Sequence, residues 1–141
     1  MEKNNSLEKL ILTQNVRAPN FTNKRLDELK RVVDLSNYDF VFLQEAIFHS
    51  DVARFTDDYH VVYEGGRFGP RGGLVTLMKG EPDEVYFQKF TEQGSVFPPS
   101  LQLSDRLIEK GFLVTNVGDV LYINTHLLCV YGVSEPHKNK H

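Results

Sequence analysis

The sequence predicts an α/β domain, and three observations carry that prediction. Lys9–Asn15, Asp39–Glu45 and Val120–His126 share one grammar, a short unbroken apolar run that stops at polar residues. Such a run reads as a strand buried on both faces. Between the first two lies a stretch with helical periodicity, Thr22–Val33. Strand, helix, strand over about thirty residues is a βαβ unit, whose crossover is right-handed and whose strands are parallel.

Each element follows from its own residues. In the helix, Leu26, Leu29 and Val33 fall on one face, Asp27 and Arg31 make an i,i+4 pair on the other, and Thr22 is the expected N-cap. Ser50–Asp58 reads as a short helix that buries Val52 and Phe55, and Tyr59–Tyr63 as a β-branched, alternating strand. The glycine-dense loop Gly65–Gly73 lacks the Gly-Lys-Ser/Thr ending and the following helix of a nucleotide-binding loop. Its glycines instead suit a close approach of backbones or of a backbone and a ligand; Arg67 and Arg71 are read first as solvated loop cations, with phosphate contact as the alternative. Leu74–Met78, Glu84–Phe90 and Phe112–Thr115 read as further strands, with an irregular, proline-containing segment from Thr91 to Ser104. Gly118-Asp119 between two apolar runs is a hairpin signal.

Size and composition bound the function. A chain of 141 residues is expected to form one domain, 1–141, with flexible ends at 1–7 and 134–141. Hydrophobic residues make up 40% and charged residues 25%, which argues against disorder. A net charge of −3 lacks the broad basic footprint of a nucleic-acid-binding protein. One cysteine, Cys129, excludes an internal disulfide and a cysteine-rich zinc site; its position after two leucines suits a small buried side chain. No apolar h-region accompanies Glu2, Lys3, Glu8 and Lys9, and no apolar run approaches the ~20 residues of a membrane helix, so a cytoplasmic protein is expected.

The three strands of the opening pattern deliver Asn15, Glu45 and His126 at their C-terminal ends. Parallel strands end on the same side of a sheet, so Asn15 and Glu45 are expected on one rim. A carboxylate, an amide and an imidazole together make a candidate site. His137 and His141 have i,i+4 spacing, but Pro136 and the lack of an apolar face argue for a tail rather than a metal-binding helix.

Five motifs in order, Gln14-Asn15, Leu43-Gln44-Glu45, Gly72-Gly73-Leu74, Lys110-Gly111-Phe112 and Asn124-Thr125-His126-Leu127, resemble the endonuclease/exonuclease/phosphatase superfamily. The Lys-Gly before a strand and the Asn-Thr-His-Leu ending look most like its neutral sphingomyelinase branch, and the spacing of Asp105 and Lys110 is similar to an aspartate–lysine pair there. The resemblance implies the N-terminal portion of a four-layer α/β-sandwich with two face-to-face mixed β-sheets. It also implies Mg²⁺-dependent hydrolysis of a phosphodiester or phosphomonoester, with a phospholipid headgroup as one candidate substrate. By that resemblance Glu45 would hold Mg²⁺ and Asn15 would support the metal–phosphate assembly. His126 would stabilise charge on the phosphate, while Asp105 and Lys110 would sit in or beside the substrate cleft.

The departure from the family is as informative. A Gly-Asp-x-Asn motif and a C-terminal Ser-Asp-His motif, which the superfamily carries beyond its Asn-Thr-His strand, are absent. The chain therefore reads as C-terminally truncated, with an exposed apolar face that favours self-association or pairing with a complementary half. The readings that stay open are the front half of a hydrolase acting on a lipid or an inositol phosphate, a nuclease of the same superfamily, or a relative that binds a phosphate ligand or a complementary chain without turnover.

Overall fold

A computed structural model describes residues 8–16, 24–32, 34, 37–91 and 108–127. Strand β1 (Ile11–Asn15), helix α1 (Lys24–Val32) and strand β2 (Phe40–Gln44) form the expected βαβ unit. The two strands run parallel, in the register Ile11↔Phe40 to Asn15↔Gln44. A short helix α2 (His49–Val52) and a 3₁₀ turn (Ala53–Phe55) follow, then β3 (His60–Val62), a second 3₁₀ turn (Arg71–Gly73) and β4 (Val75–Met78). Strands β1-β2-β4-β3 make one mixed sheet. Strands β5 (Glu84–Lys89), β6 (Gly111–Val117) and β7 (Val120–Thr125) make a second.

Alternation along the strands sorts the core into two layers. Val41, Leu43, Val75 and Leu77 point to one side of the first sheet, where they pack with Leu26 of α1 and with Val52, Phe55 and Tyr59. Phe40, Val62 and Met78 point to the other side, against Val85, Val117 and Tyr122 of the second sheet. The rings of Phe40 and Tyr122 stack across that interface, with centroids 3.9 Å apart. Helices, first sheet and second sheet are thus three successive layers, and the α/β-sandwich expected from the sequence is present.

Four details depart from expectation. Within the second sheet all described pairings are antiparallel, because a tight turn joins β6 to β7 and β5 pairs β6 in the opposite sense. Strands β1 and β7 are not buried on both faces: Ile11, Val120, Leu121 and Ile123 are exposed, as is Leu10 just before β1, since both strands lie at the edges of the sheets that the described residues form. The Asp27–Arg31 pair does not form. Arg31 instead forks onto Glu28 one turn away, at 3.0 and 2.6 Å, and Asp27 pairs with Arg54 of the 3₁₀ turn. Arg71 is committed to two carboxylates, as described below. Thr22, Val33, Asp105, Cys129, His137 and His141 lie outside the described residues.

Candidate phosphate-handling site at the sheet rim

The parallel register of β1 and β2 decides the first contact of the site. Asn15 closes β1 opposite Gln44, so its side chain reaches the next residue, Glu45. The Asn15 Nδ2 donates to Glu45 Oε1 at 2.7 Å. Glu45 has φ +61°, the one positive value for a non-glycine among the described residues. A left-handed backbone at an L residue costs on the order of 1 kcal/mol and persists where its surroundings hold it. Here Gly73 supplies the hold: it has φ +65°, a Cβ on it would sit 3.3 Å from the Glu45 Cα, and its carbonyl accepts from Ala46 N–H at 3.0 Å. Gly73 is thus a seat for the Glu45 backbone, while Gly72 packs against the Phe87 ring and the Glu109 carbonyl.

His126 arrives from the other sheet, just after β7, and an inter-sheet polar layer aims it. Two residues earlier, Asn124 is buried and crosses the sandwich. Its Nδ2 donates to the carbonyls of Leu43 (3.1 Å) and Val75 (2.9 Å), and its Oδ1 accepts from Gln44 Nε2 at 2.7 Å. The same Gln44 nitrogen also lies 3.1 Å from Thr13 Oγ1. Thr13, Gln44 and Asn124 therefore lock β1, β2 and β7 together directly beneath the rim. Above them His126 Nε2 comes within 3.3 Å of Asn15 Nδ2 and 3.5 Å of Glu45 Oε1. Glu45 and His126 side chains keep about a fifth of their surface exposed, so the trio is sheltered yet open to a small ligand.

Lys110 stands at the same rim, at the start of β6, and is buried. The neighbouring Gly111 carbonyl accepts from Thr125 Oγ1 at 2.9 Å, which ties this strand start to the residue before His126. Asp105 lies outside the described residues. Of the five site residues expected from the sequence, three are brought into one contact set and a fourth shares their rim.

The glycine-loop arginines behave differently from one another. Arg71 donates from Nε to Glu109 (2.6 Å) and from Nη1 to Glu64 (2.5 Å), and lies 5.1 Å over the Phe87 ring. Those carboxylates raise the Arg71 pKa, and Arg71, with Lys89, holds the Glu109 carboxyl below its ordinary value. Arg71 is a strut between the loop and the second sheet rather than a phosphate contact. Arg67 is exposed and stacks on Phe68, with no carboxylate beside it among the described ion pairs.

Sequence reasoning missed the Thr13–Gln44–Asn124 layer. The signal was available: an asparagine inside a strand is disfavoured unless its amide finds partners.

No protein-family model matches the chain, and no curated protein does. Among solved structures, the crystal structure of SmcL is similar, with a TM-score of 0.58 and 23% identity. The match covers 82% of this chain and 46% of that one, so the chain spans under half the length of the protein it resembles. At this identity the likeness is one of fold: two sheets with few helices, consistent with the N-terminal portion of the α/β-sandwich expected from the sequence.

Proposed function

We propose that this chain supplies the front part of a Mg²⁺-dependent phosphoric ester hydrolase of the sphingomyelinase kind. One observation carries the reading: Asn15, Glu45 and His126, from three strands in two sheets, converge within 2.7 to 3.5 Å of one another. Likeness to SmcL, a sphingomyelinase C, supports a phosphodiester with a lipid-type leaving group as the substrate class.

The donor set fits Mg²⁺, a hard cation that takes oxygen ligands, keeps several waters and needs only one or two carboxylates beside the substrate phosphate. Glu45 would hold it, and the Asn15 amide fixes the Glu45 carboxylate through the 2.7 Å bond. When bound, the metal would polarise the phosphoryl oxygen and offset its charge. His126 would donate to a non-bridging oxygen as negative charge grows there, with its ring kept beside Asn15 by the Asn124 crossing. Lys110 would add a point charge at the same rim. A second reading, a domain that binds a complementary chain without turnover, is favoured by the exposed edge strand β7.

The test is Glu45→Gln in the complete protein, read by Mg²⁺-dependent hydrolysis of sphingomyelin and by Mg²⁺ calorimetry. Loss of both turnover and Mg²⁺ heat is expected, and His126→Gln should slow turnover roughly a hundred-fold. Unchanged hydrolysis in Glu45→Gln would overturn the assignment.

A further inference from the structure

Beside the rim, two phenylalanines stand in solvent on a rigid base. Phe48, three residues after Glu45, is 41% exposed, and Phe68, at the tip of the glycine loop, is 64% exposed. The segments that carry them meet at Gly69. A Cβ on Gly69 would lie 2.0 Å from the Ile47 carbonyl oxygen and 2.8 Å from the Phe48 Cα, so only glycine lets the loop lie this close. The loop is closed by a bridge between Gly65 and Pro70 and by Gly66 N–H donating to the Gly69 carbonyl at 2.8 Å. Phe48 is held from beneath, its N–H donating to the buried Asp51 carboxylate at 2.9 Å. The rings are therefore presented by fixed backbone. Arg67 adds a cation 5.3 Å over the Phe68 ring, and Leu127, the residue after His126, is also exposed.

From this arrangement we propose that Phe48, Phe68 and Arg67 form a docking surface for a phospholipid bilayer. The inference rests on the reading of the adjoining rim as a phosphate-handling site. Aromatic rings suit the boundary between headgroups and acyl chains, where an apolar body meets a polar layer. The Arg67 guanidinium complements lipid phosphate oxygens. Continuity with the rim matters: a bilayer seated on these rings would bring headgroup phosphates to the strand ends that carry Asn15, Glu45 and His126. Aromatics beside an arginine also suit stacked bases, but the chain's net charge of −3 opposes a polyanion.

Pelleting of the 141-residue chain with phosphatidylcholine and phosphatidylcholine–phosphatidylserine vesicles tests this, in EDTA so that the result is independent of any metal at Glu45. The wild type is expected to pellet with vesicles. Phe68→Ser, at the more exposed site and so the safer for folding, should weaken partitioning about ten-fold, and Phe48→Ser/Phe68→Ser should abolish it. Arg67→Gln should cost about five-fold on the anionic vesicles. Leu121→Ser/Ile123→Ser, which alters an exposed apolar face elsewhere on the molecule, should pellet like wild type. Thermal unfolding of each variant confirms that it folds. The proposal is overturned if the wild type stays in the supernatant, if Phe68→Ser pellets undiminished, or if the Leu121/Ile123 variant is the one that loses binding. It is also overturned if a single-stranded oligonucleotide binds in a Phe68-dependent way and vesicles do not.

Discussion

Strands β2 and β7 are built from the same kind of apolar run and meet opposite fates. In β2, Phe40 is 4% exposed and Val41 and Leu43 are fully buried; in β7, Val120, Leu121 and Ile123 are each half exposed or more. The difference lies in their neighbours. β2 has β1 on one side, β4 on the other, α1 over one face and the second sheet over the other. Among the described residues β7 pairs only with β6, and no described layer covers its outer face. An unbroken apolar run thus states what a strand needs; the surrounding layers decide whether it receives it.

The comparison can be sharpened by substitution, beginning where the effect is largest. Leu43→Ala, in the buried strand, removes side-chain atoms from a filled core and should destabilise the chain by about 2–5 kcal/mol. Ile123→Ala, in the exposed strand, should change stability by no more than about 0.5 kcal/mol. Urea unfolding of both variants checks the contrast, and equal losses would show that β7 is covered in solution.

Next in size is the polar crossing that joins the two regions. Asn124→Leu removes the donor to the Leu43 and Val75 carbonyls and takes from Gln44 Nε2 its shortest acceptor, leaving Thr13 Oγ1 and the Phe42 carbonyl. Buried groups left unpaired in this way cost about 1–3 kcal/mol. The same denaturation series measures that loss, and an Asn124→Leu chain as stable as wild type would remove the inter-sheet lock from the account of the site.

The smallest effect on stability attaches to association. The β7 edge has no strand partner beyond β6 among the described residues and carries exposed apolar side chains, with no Lys or Pro among its residues to blunt it. Light scattering behind a sizing column should show concentration-dependent self-association, and Leu121→Lys/Ile123→Lys should return the chain to monomer with little change in unfolding midpoint. A wild type that stays monomeric at high concentration would break this reading of the edge.

Much of the site was legible before any tertiary structure. Parallel strands from a βαβ unit place Asn15 beside Glu45 by chain direction alone, and the 2.7 Å contact follows. His126 was legible only as a motif, because its partner strands lie in another sheet 81 residues away in sequence, as the Leu43–Asn124 bond records. Arg71 shows the opposite case. Read as a loop cation, it is occupied by Glu64 and Glu109, and nothing local to the loop predicts the Glu109 contact across 38 residues.

By itself, then, the sequence determined the local elements, the polar ends of the strands and the parallel sense of β1 and β2. These depend on periodicity, turn residues and the handedness of a crossover, all short-range properties of the chain. Only the tertiary structure decided which apolar strands are covered, which carboxylates take Arg71, and that Asn124 threads both sheets so that His126 meets Asn15 and Glu45. Those outcomes depend on which surfaces pack against each other, and packing is a property of the assembled layers rather than of any one run of residues.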